Sequence, residues 1–388
     1  MTRPLLNRRL DGLGNSIFGV MSARAAATGS VNLGQGFPDV DGPSAIAERA
    51  AAAVLAGQGN QYPPATGIPE LRQAVARHQQ RFYGLDYDPD TEVLITAGAT
   101  EAIAAALLAL LEPGDEVIAF EPYYDSYVAN IAMAGATRVP LTLRAPGFRP
   151  DLAELESKIT GKTRLLLLNS PHNPTGMVLT RAETEAIARI AIDHDLLVIA
   201  DEAYEHLTFG VPHVPLATVP GMRGRLVSIG SAGKTFSFTG WKVGWATATP
   251  DLIGAVRTTK QFLTYVSGGP FQYAVARGLD LPDSYYTDMA ADLRAKRDLM
   301  VAGLSEIGFR VYQPDGTYFI TADISPLGEQ DAMEFCRTLP DRAGVVAIPS
   351  AVFYDDHPAD GRTLIRFAFC KRPELLKEAL TRLTTLTP

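Results

Sequence analysis

Two rhythms of apolar residues run along this chain. Residues 164–168 (R-L-L-L-L), 196–200 (L-L-V-I-A) and 225–230 (R-L-V-S-I-G) are short, nearly continuous apolar runs. Such runs mark strands buried on both faces of a parallel sheet. Between and around them the apolar spacing lengthens to that of amphipathic helices, as over 68–83 with Leu71, Val75 and Phe82, and over 181–195. An alanine-rich helix is expected over 44–57, capped by Ser44 and stopped by Gly57. Further strands are expected at 92–96, 116–120 and 242–249, and further helices at 101–111, 250–262 and 271–279. The alternation over 92–249 predicts a mostly parallel sheet with helices on both faces. A long charged helix at 283–308 leads into a smaller unit with strands at 310–313, 316–322, 345–348 and 364–369, closed by a helix at 373–384. Residues 1–28 are weakly patterned and read as an arm or short helix packed on something larger. No repeat, low-complexity tract or linker interrupts the pattern.

Composition narrows the class. The chain has 388 residues, 46% hydrophobic and 20% charged, enough for one large and one small domain. A formal net charge of −8 argues against a nucleic-acid surface, which needs clustered Lys and Arg. Residues 1–19 mix charges with short apolar pieces, so no signal peptide is expected. No apolar run of about eighteen residues predicts a membrane span. Cys336 and Cys370 make neither a disulfide framework nor a metal site, and they suit buried thiols of a reducing compartment. The expectation is a cytoplasmic protein without a metal.

The candidate chemistry sits at strand ends, where α/β folds place it. Residues 231–245 read S-A-G-K-T-F-S-F-T-G-W-K-V-G-W. Lys234, one of eight lysines, follows the apolar run 225–230, with Ser231 and Lys242 flanking it as anion ligands. An amine beside an anion site suggests a Schiff base to a phosphorylated aldehyde, of which pyridoxal phosphate is the common one. The run 196–200 ends in D-E-A-Y. A carboxylate there is costly unless paired, and a protonated pyridine nitrogen would pair Asp201, with Tyr204 in reach of the same ring. The run 164–168 enters N-S-P-H-N-P-T-G, whose prolines aim Asn173, an amide able to donate to a ring oxygen. His172 reads as a loop histidine. At 97–100, A-G-A-T turns into a helix, so Gly98, Ala99 and Thr100 offer free N–H groups to a phosphate, although an ordinary βα turn has the same look. In E-P-Y-Y-D-S-Y (121–127), either Tyr123 or Tyr124 is placed to lie on a ring, Tyr124 preferred. The turn-rich 31–43 contains Gly34 and Gly36, which permit close backbone approach. The loop 60–67 displays Tyr62. Arg366 lies inside an apolar strand, where a substrate carboxylate would serve as its bidentate partner.

The set N-P-T-G, D-E-A-Y, S-x-G-K and the later R-F resembles the class I aminotransferases of fold type I, over nearly the whole chain. N-L-G-Q-G-F-P-D and T-G-W-K-V-G-W are similar to the subgroup of kynurenine, glutamine and methionine transaminases. N-Q-Y-P-P, E-P-Y-Y-D-S-Y and N-S-P-H-N-P-T-G add a resemblance to N-succinyl-diaminopimelate aminotransferases of the actinobacterial type. The resemblance implies an α/β fold, with a large pyridoxal-phosphate domain over 44–280 built on a mostly parallel seven-stranded sheet. It also implies a small α/β domain from 1–43, the N-terminal arm, and 281–388. It makes Lys234 the Schiff-base lysine and proton shuttle, and pairs Asp201 with the pyridine nitrogen. Tyr204 and Asn173 bind the ring oxygen and Tyr124 stacks on the ring. Gly98, Ala99, Thr100, Ser231 and Lys242 hold the phosphate, with Tyr62 from the partner of a homodimer. Arg366, Asn173 and the backbone at Gly36 hold the substrate carboxylate, with Phe18 beside them. Thr100 stands where many subgroup members have Tyr.

The expected reaction is ping-pong transfer from an L-amino acid to a 2-oxo acid, with the glutamate/2-oxoglutarate pair and N-succinyl-diaminopimelate as substrates. A kynurenine-, glutamine- or methionine-type transaminase, a cysteine-conjugate β-lyase and a non-catalytic cofactor sensor are the alternatives. An acidic side chain would call on Lys260, Arg257 or Arg24, and an aromatic one on Phe18, Tyr123 or Tyr265.

Overall fold

A computed structural model describes residues 5–14, 16–355 and 358–386, so parts of the expected 1–28 arm lie outside the described residues. The first elements are α1 (Ile17–Thr28), β1 (Val31–Asn32), α2 (Ser44–Leu55) and α3 (Pro69–Tyr83). Then come β2 (Val93–Thr96), α4 (Gly98–Leu110), β3 (Glu116–Glu121), α5 (Asp125–Ala134), β4 (Thr137–Thr142), α6 (Leu152–Ser157), β5 (Thr163–Asn169) and α7 (Arg181–Asp193). They are followed by β6 (Leu197–Asp201), β7 (Leu226–Ser231), α8 (Ala232–Thr235), β8 (Gly244–Thr247), α9 (Pro250–Leu263), α10 (Gly269–Leu279) and α11 (Asp283–Ile307). The last part holds β9 (Arg310–Tyr312), β10 (Phe319–Asp323), α12 (Ala332–Ala343), β11 (Val345–Val346), β12 (Ile348–Pro349), β13 (Leu364–Ala368) and α13 (Pro373–Leu383).

Seven strands form one sheet in the order β2-β8-β7-β6-β5-β3-β4. It is parallel except for β8, which runs against both β2 and β7. Leu165–Leu168 of β5 and Val198–Ala200 of β6 are buried, as the continuous apolar runs required. One face packs on α4, α5 and α9 through Ile103, Ile131 and Val256. The other packs on α7 through Ile187 and Ala191. A four-stranded antiparallel sheet, β12-β13-β10-β9, lies in a separate core with α11, α12 and α13, while β1 pairs with β11 in parallel. Ala203, Tyr204 and Leu207, just past β6, are members of that second core, which brings the end of the large sheet against the small one. Among the described residues no helix is long and apolar enough to cross a membrane.

Local chemistry explains several boundaries. Helix α3 starts on Pro69 and stops on Gly84 in the left-handed region. A Thr180/Glu183 capping box opens α7. Ser44, expected as a cap, is instead the first helical residue after Pro43 and makes no capping bond. Helix α4 begins three residues earlier than expected, because A-G-A-T is its first turn: the Glu101 carboxylate accepts the Ala97 N–H at 2.6 Å and Gly98 takes φ +73. Lys242 is not in the expected strand. It sits at φ 53, and β8 begins at Gly244. The expected strand over 345–348 is two bridges to different partners, β11 to β1 and β12 to β13. Helices α5 and α12 and the edge strand β4 had no expectation. Pro340 inside α12 and Pro140 in β4 mask their patterns.

Candidate active site

The carboxyl ends of β5, β6 and β7 and the start of α4 surround one cavity of about 270 Å³, closed on its far side by β13 and by residues 35–36. Of the residues expected to hold the cofactor or the substrate carboxylate, Gly36, Gly98, Ala99, Thr100, Tyr124, Asn173, Asp201, Tyr204, Ser231, Lys234, Lys242, Arg366 and Phe18 line it, and Tyr62 does not.

Lys234 is on α8, one turn past β7. Its amine donates to the Tyr318 hydroxyl at 2.9 Å and faces the Gly36 carbonyl at 3.5 Å. Burial lowers its pKa to about 8, against the opposing pull of Cys370 and Asp201. Asp201 closes β6 and is fully buried. Burial raises its pKa, while hydrogen bonds from the Tyr127 hydroxyl to Oδ2 (2.5 Å) and from the Ala203 N–H to Oδ1 (3.1 Å) hold it down. Next to it in register stands Asn169, which donates to the Asp201 carbonyl at 2.8 Å and accepts the Asn173 N–H at 2.7 Å. This brace aims Asn173, whose Oδ1 accepts from Arg366 Nη1 at 2.9 Å.

Arg366 is 1% exposed, on the central strand β13. Nη2 donates to the Gly34 carbonyl at 3.0 Å, and Nε has no partner among the described residues. The rings of Phe319, Phe18 and Phe353 surround the guanidinium at 4.0, 5.0 and 5.2 Å. Burial lowers its pKa to about 10, so it stays charged at neutral pH, bonded to two neutral oxygens. A buried cation in that state is prepared for an anion from outside.

On the opposite side, the first turn of α4 carries no capping side chain on its N-cap residue, Ala97. Lys242 reaches over this turn, its Nζ 3.3 Å from the Thr100 hydroxyl. Ser231 and Thr239 complete the lining there. Helix N–H groups, a hydroxyl and an ammonium form an anion site. Tyr124 lines the cavity between this turn and Asp201, edge-on to Tyr127 at 5.7 Å. Its neighbour Tyr123 is buried away from the cavity and bonds Asp355. Tyr204 is buried edge-on to Tyr318 at 5.4 Å.

Gly36 also lines the cavity, but the space a Cβ would take there is filled by the Phe319 ring at 2.5 Å, so packing against the start of β10 sets that glycine. Tyr62 lies outside, 82% exposed and edge-on to Tyr265. Lys260, Arg257 and Arg24 do not line the cavity, and neither do Tyr123 and Tyr265. Lys260 instead donates to the Ala65 and Tyr265 carbonyls, and Arg24 pairs with Asp341. His172 is a buried loop residue bonded to Thr175. Elsewhere His78 and His206 hydrogen-bond Nε2 to Nε2 at 2.7 Å beside Glu205, three side chains whose ligand atoms lie within 4.8 Å of one another.

Sequence reasoning missed Tyr318, Tyr127, Asn169 and Phe319. Tyr127 and Asn169 were detectable: one lies three residues past Tyr124 at a helix start, the other ends the strand beside Asp201. Tyr318 had no local signal.

The family model for aminotransferase class I and II matches residues 28–383. A probable N-succinyldiaminopimelate aminotransferase of Mycobacterium tuberculosis is 51% identical over 390 residues, covering 97% of this chain and 98% of that one. The methionine aminotransferase of Escherichia coli is 41% identical over 379 residues, covering 97% of each. The solved N-succinyldiaminopimelate aminotransferase of M. tuberculosis superposes with a TM-score of 0.96 over 98% of this chain and 100% of that chain, at 51% identity.

Proposed function

The chain belongs to the class I and II aminotransferases, and from that premise we propose that its cavity moves the amino group of N-succinyl-diaminopimelate to 2-oxoglutarate. The enzyme has the type I fold and depends on pyridoxal 5′-phosphate. The donor set supports that cofactor: an uncapped helix N-terminus with Lys242 for a phosphate, a buried carboxylate without a cationic hydrogen-bond partner for a pyridinium, and an amine between them.

When bound, the cofactor supplies an aldehyde that joins an amine and a ring that takes up electrons from the substrate. Lys234 would attach it covalently and, once displaced, carry the substrate α-proton on Nζ. Its depressed pKa leaves a useful fraction as free base near neutrality. Asp201 would keep the pyridine nitrogen protonated, and the Tyr127 hydrogen bond favours the ionised carboxylate against the opposing effect of burial. Tyr204 and Asn173 would bind the ring oxygen, and Tyr124 would lie on the ring. Gly98, Ala99, Thr100, Ser231 and Lys242 would hold the phosphate, with Tyr62 supplied by a second copy of the chain in a homodimer. Arg366 and Asn173, with the backbone at Gly36, would hold the substrate carboxylate. Both substrates use one site in turn, so initial-rate lines at varied second substrate are parallel. The two cysteines are buried and unpaired, which suits a cytoplasmic enzyme.

The observation that carries the reading is Arg366, a buried cation bonded only to neutral oxygens and facing the same cavity as Lys234. The aromatic wall of Phe18 and Phe319 supports a second donor class, methionine or an aromatic amino acid. A half-reaction screen of amino acids against the cofactor-loaded enzyme, read by absorbance, separates the two. Turnover of N-succinyl-diaminopimelate well above methionine and kynurenine upholds the first, and the reverse order replaces it. Pyruvate and ammonia formed from a cysteine conjugate without an oxo acid would instead mark β-elimination. Lys234→Ala should lose the visible absorbance of the bound cofactor and roughly a thousandfold or more in kcat.

A further inference from the structure

Tyr318 is buried beside Lys234, and two loops of the cavity cooperate to put it there. Residues 314–317 form the turn before β10. The N–H groups of Asp315 and Gly316 donate to the Gly176 carbonyl at 3.0 and 2.8 Å, which ties the turn to the N-P-T-G loop. The Thr317 N–H donates to the Leu207 carbonyl at 2.8 Å, and Gly316 bridges Thr208, which ties it to the segment after D-E-A-Y. Held from both sides, Thr317 takes φ 65, a left-handed backbone that a β-branched residue adopts only when its surroundings impose it. The next side chain then meets the rings of Tyr204 and Phe319 edge-on, at 5.4 and 4.8 Å, which fix its plane.

The result is a directed hydroxyl. It donates to the Gly36 carbonyl at 2.6 Å, and its oxygen lies 2.9 Å from Lys234 Nζ. With its one proton on Gly36, the oxygen meets the amine as an acceptor. Burial raises the phenol well above its ordinary pKa, so it does not surrender that proton. The segment it bonds also contains Gly34, whose carbonyl accepts from Arg366.

We propose that Tyr318 is the positioning residue for Lys234: its hydroxyl fixes where the amine sits when the amine has no covalent partner, and couples that position to the Gly34–Gly36 segment behind Arg366. This rests on the reading of Lys234 as the proton-transfer amine. The proton that Lys234 takes from the substrate α-carbon is carried and handed on by Nζ alone, while Tyr318 accepts an N–H and keeps its own proton on Gly36.

The test is Tyr318→Phe, with Tyr318→Leu as a second variant lacking the hydroxyl. In cofactor-free protein, the pH dependence of Lys234 acylation, read by peptide mass, gives the amine pKa. Losing an acceptor disfavours the ammonium form, so that pKa falls by about half a unit or more. With an α-deuterated donor, kcat falls roughly tenfold or more, KM stays within about twofold and the isotope effect on kcat grows. Borohydride reduction and peptide mapping locate the cofactor in each protein. Cofactor on Lys234 throughout, with amine pKa and isotope effect unchanged in both variants, overturns the proposal and leaves the functional reading standing, even if activity drops. Cofactor on another residue of the unaltered enzyme, or on none, overturns the functional reading itself.

Discussion

At the scale of the residue, two basic groups lining the cavity set the chemistry, and each gives a measurable consequence. Burial holds the Lys234 amine at a pKa of about 8 in the cofactor-free protein. Only the neutral amine condenses with an aldehyde, so the sign is fixed. The rate of cofactor capture should climb about tenfold per pH unit below that value and level off above it. Stopped-flow absorbance across pH 6–10 reads this directly, and a flat profile would remove the amine from the step. Arg366 is held from two sides by neutral oxygens and enclosed by three rings. Lysine cannot reproduce a planar fork, so Arg366→Lys should raise KM for donor and acceptor by about ten- to hundredfold while the visible band of bound cofactor persists. The sequence pointed to Arg366 because a cation is unusual inside an apolar strand, and to Lys234 because it follows the end of one. It did not reveal that Arg366 has no acid partner among the described residues, since any distant Asp or Glu was available in sequence.

At the scale of the element, the anion site depends on how closely β8 passes under α4. A Cβ at Gly244 would stand 2.6 Å from the Gly98 carbonyl carbon and 2.7 Å from the Ala99 nitrogen. Gly244→Ala must therefore push the first turn of α4 out of place. The affinity for pyridoxal phosphate should fall about tenfold, a larger loss than that for unphosphorylated pyridoxal, which has no phosphate to bind there. Equal losses for the two would place the damage elsewhere. The strong periodic elements β5, β6, β7, α3 and α7 were legible because period and burial agree within each. The start of α4 and the place of Lys242 were not, because the Glu101–Ala97 hydrogen bond and a left-handed residue act through geometry that hydrophobic spacing does not record. Helix α12 and strand β4 were hidden by internal prolines that their surroundings tolerate.

At the scale of the whole molecule, one exposed apolar feature stands beside the cavity's rim elements. Tyr62 and Phe262 are each 82% exposed, and Leu263 and Tyr265 are also exposed, on the 60–67 loop and around the end of α9, which Lys260 joins through the Ala65 and Tyr265 carbonyls. A patch of this kind suits a protein partner, and the homodimer proposed above would cover it. Phe262→Asp should shift the protein to monomer in sedimentation and lower activity with it. A variant that remains dimeric and fully active would place the interface on another face. The meeting of the two sheets gives the cavity its shape: Lys234 follows a strand of the large sheet, Arg366 lies on the small one, and Tyr318 touches the amine from the small one.

The order of amino acids by itself determined the elements whose apolar period is strong, the parallel character of the main sheet, and the residue types gathered at its strand ends. Each of these is written within a few consecutive positions, where side-chain period and backbone preference act directly. Only the tertiary structure decided that Tyr318 meets Lys234, that Tyr127 bonds Asp201, that Arg366 is bonded by the neutral Asn173 and Gly34 oxygens, and that Tyr62 stands outside the cavity. Those facts join positions that are mostly scores to hundreds of residues apart, and long-range packing of two sheets, rather than any local preference, brings such positions together.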